Sequence, residues 1–444
     1  MSNPSRIKLL IAAHSGSRGG AEYCLDTLLE HLDRERFDAQ VLFAWPGPMV
    51  EQARRRGYPV EIWPWAWWMG YEPTVWHWRN VVLGSLWRAV RLVRRLRRER
   101  IDVVYTNTAV IFEPALAARW AGVPHVWHVH EILGPQSMRP HLLPWRWMVR
   151  RIGRWSERVI FESHTARQRC QGLVPEEKMR VVYNSVRFRL AEVAAPQPAC
   201  SAGHPLPQRG EGGCSPLPWR ERPAVLKATP GEGDAESSGG FPLSPPSPPP
   251  LSHEGERGEE GCRVVWIGRL SERKDPIGFL QAIVRMHQAH QCRFLLVGEG
   301  PLEAQVRQTI QELGLADRCQ LLGFREDVRP ILQEADLLVL TSREESFGLV
   351  LAEAGAFGLP VVATRTQGPT EIVVDGQTGF LVAVGDTDAL AGAMDRLVVQ
   401  PALRRQMGQA AQERVRQLFD PVQNTRQIEN ILAEVAEFAR GQKT

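Results

Sequence analysis

Short apolar runs alternate with segments of helical periodicity along almost the whole chain, and that alternation leaves few folds open. In the N-terminal half the runs fall at 7–13, 37–43, 103–105, 125–129, 158–162 and 180–183. In the C-terminal half they fall at 263–267, 293–297, 319–322, 337–341 and 360–363. Runs this short and this apolar, each followed by a helix, read as strands of parallel sheets covered on both faces. The pattern predicts α/β domains.

The two halves are separated by residues 196–261, which hold 14 Pro and 11 Gly in 66 positions. Such a stretch buries too little apolar surface to offset its chain entropy, so it reads as a linker or insertion. A total of 444 residues is long for one domain and suits two. The seven cysteines are scattered without a C-x-x-C pair, which argues against a zinc site or a disulfide framework and fits a reducing cytoplasm. No run approaches the roughly 20 apolar residues that span a bilayer. The first run carries Lys8 and no cleavage pattern, so it reads as a strand rather than a signal peptide.

One segment carries most of the chemistry: Ser342-Arg-Glu-Glu-Ser-Phe-Gly-Leu-Val-Leu-Ala-Glu353. A glycine-containing turn leads into a short apolar helix, with Glu345 just outside its start and Glu353 on its second turn. Backbone N–H groups of Gly348, Leu349 and Val350 at such a start can bind an anion. Carboxylates on either side accept hydrogen bonds from hydroxyls. Phosphate flanked by polyols describes a nucleotide-diphosphate sugar.

The segment resembles the Glu-x7-Glu signature of retaining GT-B glycosyltransferases, the group that includes family 4 (glycosyl transferases group 1). The resemblance implies two Rossmann-like domains facing each other across a cleft, at 1–190 and 262–420. The connector then covers 191–261, and a final helix in 421–444 packs back on the first domain. It implies that Glu345 contacts the donor sugar and Glu353 the ribose, with Ser346 and Phe347 in the same turn.

Further motifs fall in the family's order. Gly268-Arg269-Leu-Ser-Glu-Arg-Lys274 follows a strand and resembles the family's G-R-L-x-x-x-K. Its two cations can neutralise a diphosphate leaving group, so no metal is required. Gly298-Glu-Gly300-Pro301 is a glycine turn into a helix, and Phe324 lies on a loop that in relatives sits near the base. In the N-terminal half Gly16-Ser-Arg-Gly19-Gly20 can hold a phosphate or admit the acceptor. His130 ends a strand where relatives place a histidine facing the donor sugar. His128 shares its parity and reads as a deeper, supporting residue. Glu131 either binds acceptor or caps the next loop, and Glu371 reads as structural. Asp386-Thr-Asp388 reads as a helix N-cap rather than a metal site.

Residues 1–185 carry 27 Lys+Arg against 17 Asp+Glu and hold 13 of the 15 tryptophans. The stretch Trp63-Pro-Trp65-Ala-Trp67-Trp68, then Trp76 and Trp78, precedes an arginine-rich helix over 87–100 whose apolar face is Ala89, Val90, Val93 and Leu96. A second basic-aromatic helix spans 144–155. Both suit either an anionic membrane surface or ordinary packing on a sheet. Nucleic acid fits poorly, since no recognised binding module occurs.

The resulting expectation is a cytoplasmic or peripheral-membrane enzyme. It would move a hexose-type sugar, with retention, from a UDP-, GDP- or ADP-sugar to a glycan or lipid-linked acceptor. The alternatives are a GT-B sugar-nucleotide epimerase or hydrolase, and a non-catalytic membrane scaffold with a vestigial donor site.

Overall fold

The computed structural model describes residues 6–69, 80–135, 143–188, 190 and 261–441. The connector at 191–260, Trp76 and Trp78 lie outside the described residues. Strands β1 Ile7–Ala13, β2 Phe37–Phe43, β3 Val60–Ile62, β4 Val103–Thr106, β5 His125–Val129, β6 Arg158–Phe161 and β7 Met179–Val181 form one sheet, ordered β3-β2-β1-β4-β5-β6-β7. Strands β8 Cys262–Ile267, β9 Cys292–Val297, β10 Cys319–Gly323, β11 Leu337–Leu340, β12 Val361–Thr364 and β13 Gly379–Val382 form a second, ordered β10-β9-β8-β11-β12-β13. Neighbouring strands pair in parallel throughout both sheets. Both are doubly wound, with the order reversing beside β1 and beside β8.

Side chains alternate between two cores on each sheet, because strand periodicity is two. Along β1, Leu9, Ile11 and Ala13 enter one core while Leu10 and Ala12 enter the other. Along β8, Val264 and Trp266 face one side and Val265 the other. The two strands that apolar runs did not announce, β3 and β13, are short edge strands. β3 is three residues long and largely exposed, whereas β13 is apolar but only four residues long and opens on a glycine.

The chain passes between the sheets twice within the described residues. After β7, Val186 and Phe188 enter a core of the second sheet, and the Val186 amide donates to the Phe419 carbonyl (3.2 Å). The return passes Asn424, whose Nδ2 donates to the carbonyls of Tyr183 (3.0 Å) and Leu418 (2.8 Å). Helix Pro421–Gly441 then lies on the first sheet, where Ile428, Ile431, Leu432 and Val435 join Leu9, Ile11 and Val103 in one core. Arg440 pairs with Asp102 (2.8 Å), and Glu429 accepts the Asp33 amide (2.6 Å).

The tryptophan-rich stretch is core, contrary to the interfacial reading. Trp63, Trp65 and Trp68 are buried, and Trp68 stacks 6.1 Å from Trp127. Helix Ser85–Glu99 covers them with Ala89, Leu92, Val93 and Leu96, and buries Arg88 against Glu113 (2.6 Å). Val90, expected on that buried face, is instead exposed. The helical period places it about 100° from Ala89, and Leu92 takes its place inside.

Candidate active site

In doubly wound sheets, ligands bind beyond the carboxyl ends of strands where the order reverses. In the second sheet those loops follow β8 and β11, and they contain the Arg269–Lys274 and Glu345–Gly348 motifs. Thr341 ties the two loops together, its Oγ1 donating to the Asp275 carbonyl (2.7 Å). Asp275 caps helix Pro276–Arg285 by accepting the Gly278 amide (3.1 Å), and also accepts from Arg343 Nε (3.1 Å).

The glycines of the β9 turn explain how the Arg269 loop is seated. A Cβ on Gly298 (φ 142°) would lie 1.9 Å from the Gly268 carbonyl oxygen. One on Gly300 (φ 157°) would lie 2.4 Å from that of Leu270. Only glycine lets the backbones approach this closely.

Helix Leu349–Ala356 begins at Gly348, which has left-handed backbone (φ 92°). Leu349 and Val350 are half-buried at its first turn, where amides lack partners within the helix. The Glu345 carbonyl accepts the Gly368 amide (2.9 Å), which fixes the preceding turn. The Glu345 carboxylate is buried and takes Lys274 Nζ and Ser342 Oγ (3.3 Å). Arg269 is exposed and makes no ion pair among the described residues. Ser346 is half-buried beside them, whereas the Phe347 ring packs 5.7 Å from Phe419 in the core. Glu353, 1% exposed, is held by Arg187, whose Nε and Nη2 donate to its two carboxylate oxygens.

The first sheet presents a second set at its carboxyl ends. Gly19 is the N-cap of helix Gly20–His31, and the Glu22 carboxylate occupies the space where a Gly19 Cβ would stand (2.5 Å). Burial pushes the Glu22 pKa up to about 7, opposed by its own backbone amide and assisted by the charge of Glu131. His14, 3.2 Å from Glu22, is pushed down to about 4 by burial and by His130. Arg18 reaches to the other sheet's loops: it pairs with Glu326 (2.9 Å) and lies 5.0 Å over the Phe324 ring.

His130 follows β5, its Nε2 3.0 Å from Asn107 Oδ1. Burial lowers its pKa to about 4, opposed by the charge of Glu131 and by Asn184. The ring of His128 lies 4.1 Å away, with Nδ1 2.6 Å from the Tyr105 hydroxyl. Glu131 accepts the amides of Ala109 (2.9 Å) and His130 (3.1 Å), so it organises these loops. Glu371 bridges the two sheets' elements. Its Oε1 accepts from the Thr165 amide (2.7 Å) and hydroxyl (2.6 Å), and its Oε2 from the Tyr183 hydroxyl (3.1 Å). Asp386 accepts the Ala389 amide (2.9 Å) as a helix cap.

The sequence motifs alone did not single out Arg18, Glu162 or Arg187. Arg18 stands inside the Gly16–Gly20 motif, but its partners Glu326 and Phe324 are about 300 residues away. Glu162 and Arg187 have no spacing relation to a motif, and only the tertiary fold sets them against one.

The family profile for glycosyl transferases group 1 matches residues 252–414, and that for glycosyltransferase family 4 matches residues 18–189. The two together cover about three quarters of the chain. The chain belongs to the group 1 glycosyltransferases of the GT-B fold.

N-acetyl-alpha-D-glucosaminyl L-malate synthase of Bacillus anthracis is 37% identical over 172 residues, 39% of this chain and 45% of that protein. The lipopolysaccharide core biosynthesis glycosyltransferase LpsE of Rhizobium meliloti is 28% identical over 199 residues, 45% of this chain and 54% of that protein. The matches thus span about half the length of these relatives. Among solved structures, Anabaena HepE in complex with UDP superposes with a TM-score of 0.70 at 23% identity, over 96% of this chain and all of that one. WaaG, involved in lipopolysaccharide biosynthesis, does so with a TM-score of 0.61 at 14% identity, over 96% of this chain and 99% of that one. These likenesses establish the two-sheet GT-B fold.

Proposed function

We propose that this group 1 family member is a retaining glycosyltransferase. It moves a hexose-type sugar from a nucleotide-diphosphate sugar to a glycan or lipid-linked acceptor, in bacterial polysaccharide or cell-envelope glycan synthesis. One observation carries the reading: Glu345 and Glu353 bracket a helix N-terminus at the switch point of the second sheet, with Lys274 and Arg269 on the adjoining loop. An anion at the amides of Gly348, Leu349 and Val350 is complemented by the two cations, and hydroxyls on its flanks meet the two acids. Both acids are ion-paired within the protein, so the donor replaces or shares these partners. The UDP bound by HepE and the lipopolysaccharide work of LpsE and WaaG favour the same class.

In this mechanism the acceptor oxygen bonds to the anomeric carbon from the face the phosphate leaves. The carbon–oxygen bond to phosphate breaks, and the acceptor proton passes to the departing phosphate oxygen. Arg269 and Lys274 stabilise the charge that develops there, as fixed cations do without reorganising. Gly20, with open space where a Cβ would stand, leaves room on the opposite side, and Gly19 makes way for the carboxylate of Glu22, the adjoining acid. His130 and Ser346 line the sugar, and Phe324 with Gly298 belongs to the base side.

The decisive experiment is a thermal-shift panel with UDP, GDP and ADP and their sugars. A nucleotide at one hundred times its Kd adds about 2.7 kcal/mol. A shift with one nucleotide that is lost in Glu353→Ala supports the reading; no shift with any of them sinks it.

Peripheral attachment to the inner face of the cytoplasmic membrane is a second part of the proposal. Leu83, Leu86, Trp87 and Val90 form an exposed apolar stripe leading into helix Ser85–Glu99, beside the exposed Arg91 and Arg94. Trp147 is exposed on helix Trp145–Trp155, where Arg151 lies 4.6 Å over its ring. Such stripes bind anionic bilayers. Among the described residues no helix is long and apolar enough to cross a membrane.

A further inference from the structure

Glu162 follows β6 on the first sheet, 2% exposed, and no sequence motif points to it. Its Oε2 accepts from Asn184 Nδ2 (2.6 Å) and lies 3.8 Å from His130 Nδ1. Its other oxygen, Oε1, is buried without a hydrogen-bond partner, and so is His130 Nδ1. Asn184 Oδ1 is also without a partner; buried polar atoms are rarely left so, and three on adjoining side chains indicate a polar group that the protein itself does not supply. Both side chains are held from behind: His130 by Asn107 at its other nitrogen, Glu162 by Asn184 at its other oxygen.

We propose that Glu162 and His130 together seat a hydroxyl of the transferred sugar, which makes Glu162 a specificity-determining residue of the donor site. The inference rests on the reading above, in which His130 faces that sugar. A hydroxyl both donates and accepts; here it can donate to Glu162 Oε1 or to His130 Nδ1, which is an acceptor because Nε2 donates to Asn107 Oδ1. Burial holds the Glu162 carboxyl well above the ordinary carboxylate range; Asn184 opposes this and the Glu345 charge adds to it. Burial likewise keeps His130 neutral at pH 7. The seat therefore suits an uncharged polyol and not the diphosphate, whose cations stand on the other sheet's loops.

The test measures calorimetric affinities for UDP, UDP-glucose, GDP, GDP-mannose, ADP and ADP-glucose in wild type, Glu162→Ala and Glu162→Gln, with circular dichroism to check folding. For the nucleotide that binds, Glu162→Ala is expected to leave its affinity within twofold and to weaken the matching sugar nucleotide at least tenfold. Glu162→Gln, which keeps a donor and an acceptor, recovers most of that loss. An equal loss for nucleotide and sugar nucleotide, or no loss for either, overturns the Glu162 contact while leaving the donor reading standing. Failure of wild type to bind any of the six removes the donor reading itself, and the contact with it.

Discussion

Arg187 donates to both carboxylate oxygens of Glu353, joining the segment that leaves the first sheet to the signature helix of the second. The Arg187 guanidinium also lies 4.7 Å over the Tyr23 ring, so three elements meet at one cation. Removing one partner of a buried ion pair strands the other's charge, which costs about 3 kcal/mol or more. Arg187→Ala is expected to lose about that much stability. Glu353→Gln in the same background should recover most of it, because a neutral amide needs no counter-charge. Thermal unfolding of the two singles and the double decides; simple additivity would refute the coupling.

Lys274 pairs with Glu345 and stands on the loop assigned to the leaving phosphate. Lys274→Met should lower kcat for transfer by about 10²–10³, the range seen when a charge-stabilising donor is removed. Wild-type turnover in that variant would show that Lys274 only neutralises Glu345.

Gly298 admits no Cβ, with the Gly268 carbonyl oxygen 1.9 Å from where it would stand. Gly298→Ala should destabilise by about 1–3 kcal/mol through overpacking, and weaken nucleotide binding by displacing the Arg269 loop. Denaturant unfolding together with nucleotide affinity checks both; an unchanged affinity would show that the loop is seated by other contacts.

His125 sits in the sheet floor between the hydroxyls of Thr106 (2.8 Å) and Ser156 (3.1 Å), and burial pushes its pKa down to about 3. Between that value and 6.5 only the unfolded chain takes up this proton, so its stabilising contribution is full above 6.5 and is lost as pH falls. The slope is about 1.4 kcal/mol per pH unit. Wild type should therefore lose stability relative to His125→Gln at that rate from pH 6.5 downward. Parallel stability–pH curves for the two proteins would contradict it.

Trp87 is 63% exposed on the apolar stripe that includes Leu83, Leu86 and Val90. Trp87→Glu combined with Leu86→Glu should abolish co-sedimentation with phosphatidylglycerol vesicles at low salt while leaving the melting temperature within about 2 °C. Failure of wild type to co-sediment would discard the membrane reading.

Much of the fold was legible because parallel strands covered on both faces are near-continuously apolar, and β4, β11 and β12 announce themselves that way. The strands β3 and β13 did not, since they are only three and four residues long and β3 is largely exposed. The signature acids, Arg269 and Lys274 were legible because their spacing is local: one loop, one helix turn. Trp63, Trp65 and Trp68 left two readings open, because a tryptophan-rich irregular stretch has the same composition whether a helix covers it or not; here helix Ser85–Glu99 does.

The sequence by itself thus determined two α/β domains with parallel sheets, the family, and the order of the motifs proposed for the donor, all properties carried by neighbours along the chain. Only the tertiary structure decided what faces those motifs. Arg187 and Glu353 are 166 residues apart, and Thr165 and Glu371 are 206 apart. Glu162 meets His130 only because β5 and β6 lie side by side in the sheet. Contacts at such separations depend on how strands and crossing helices pack, and no local pattern encodes that packing.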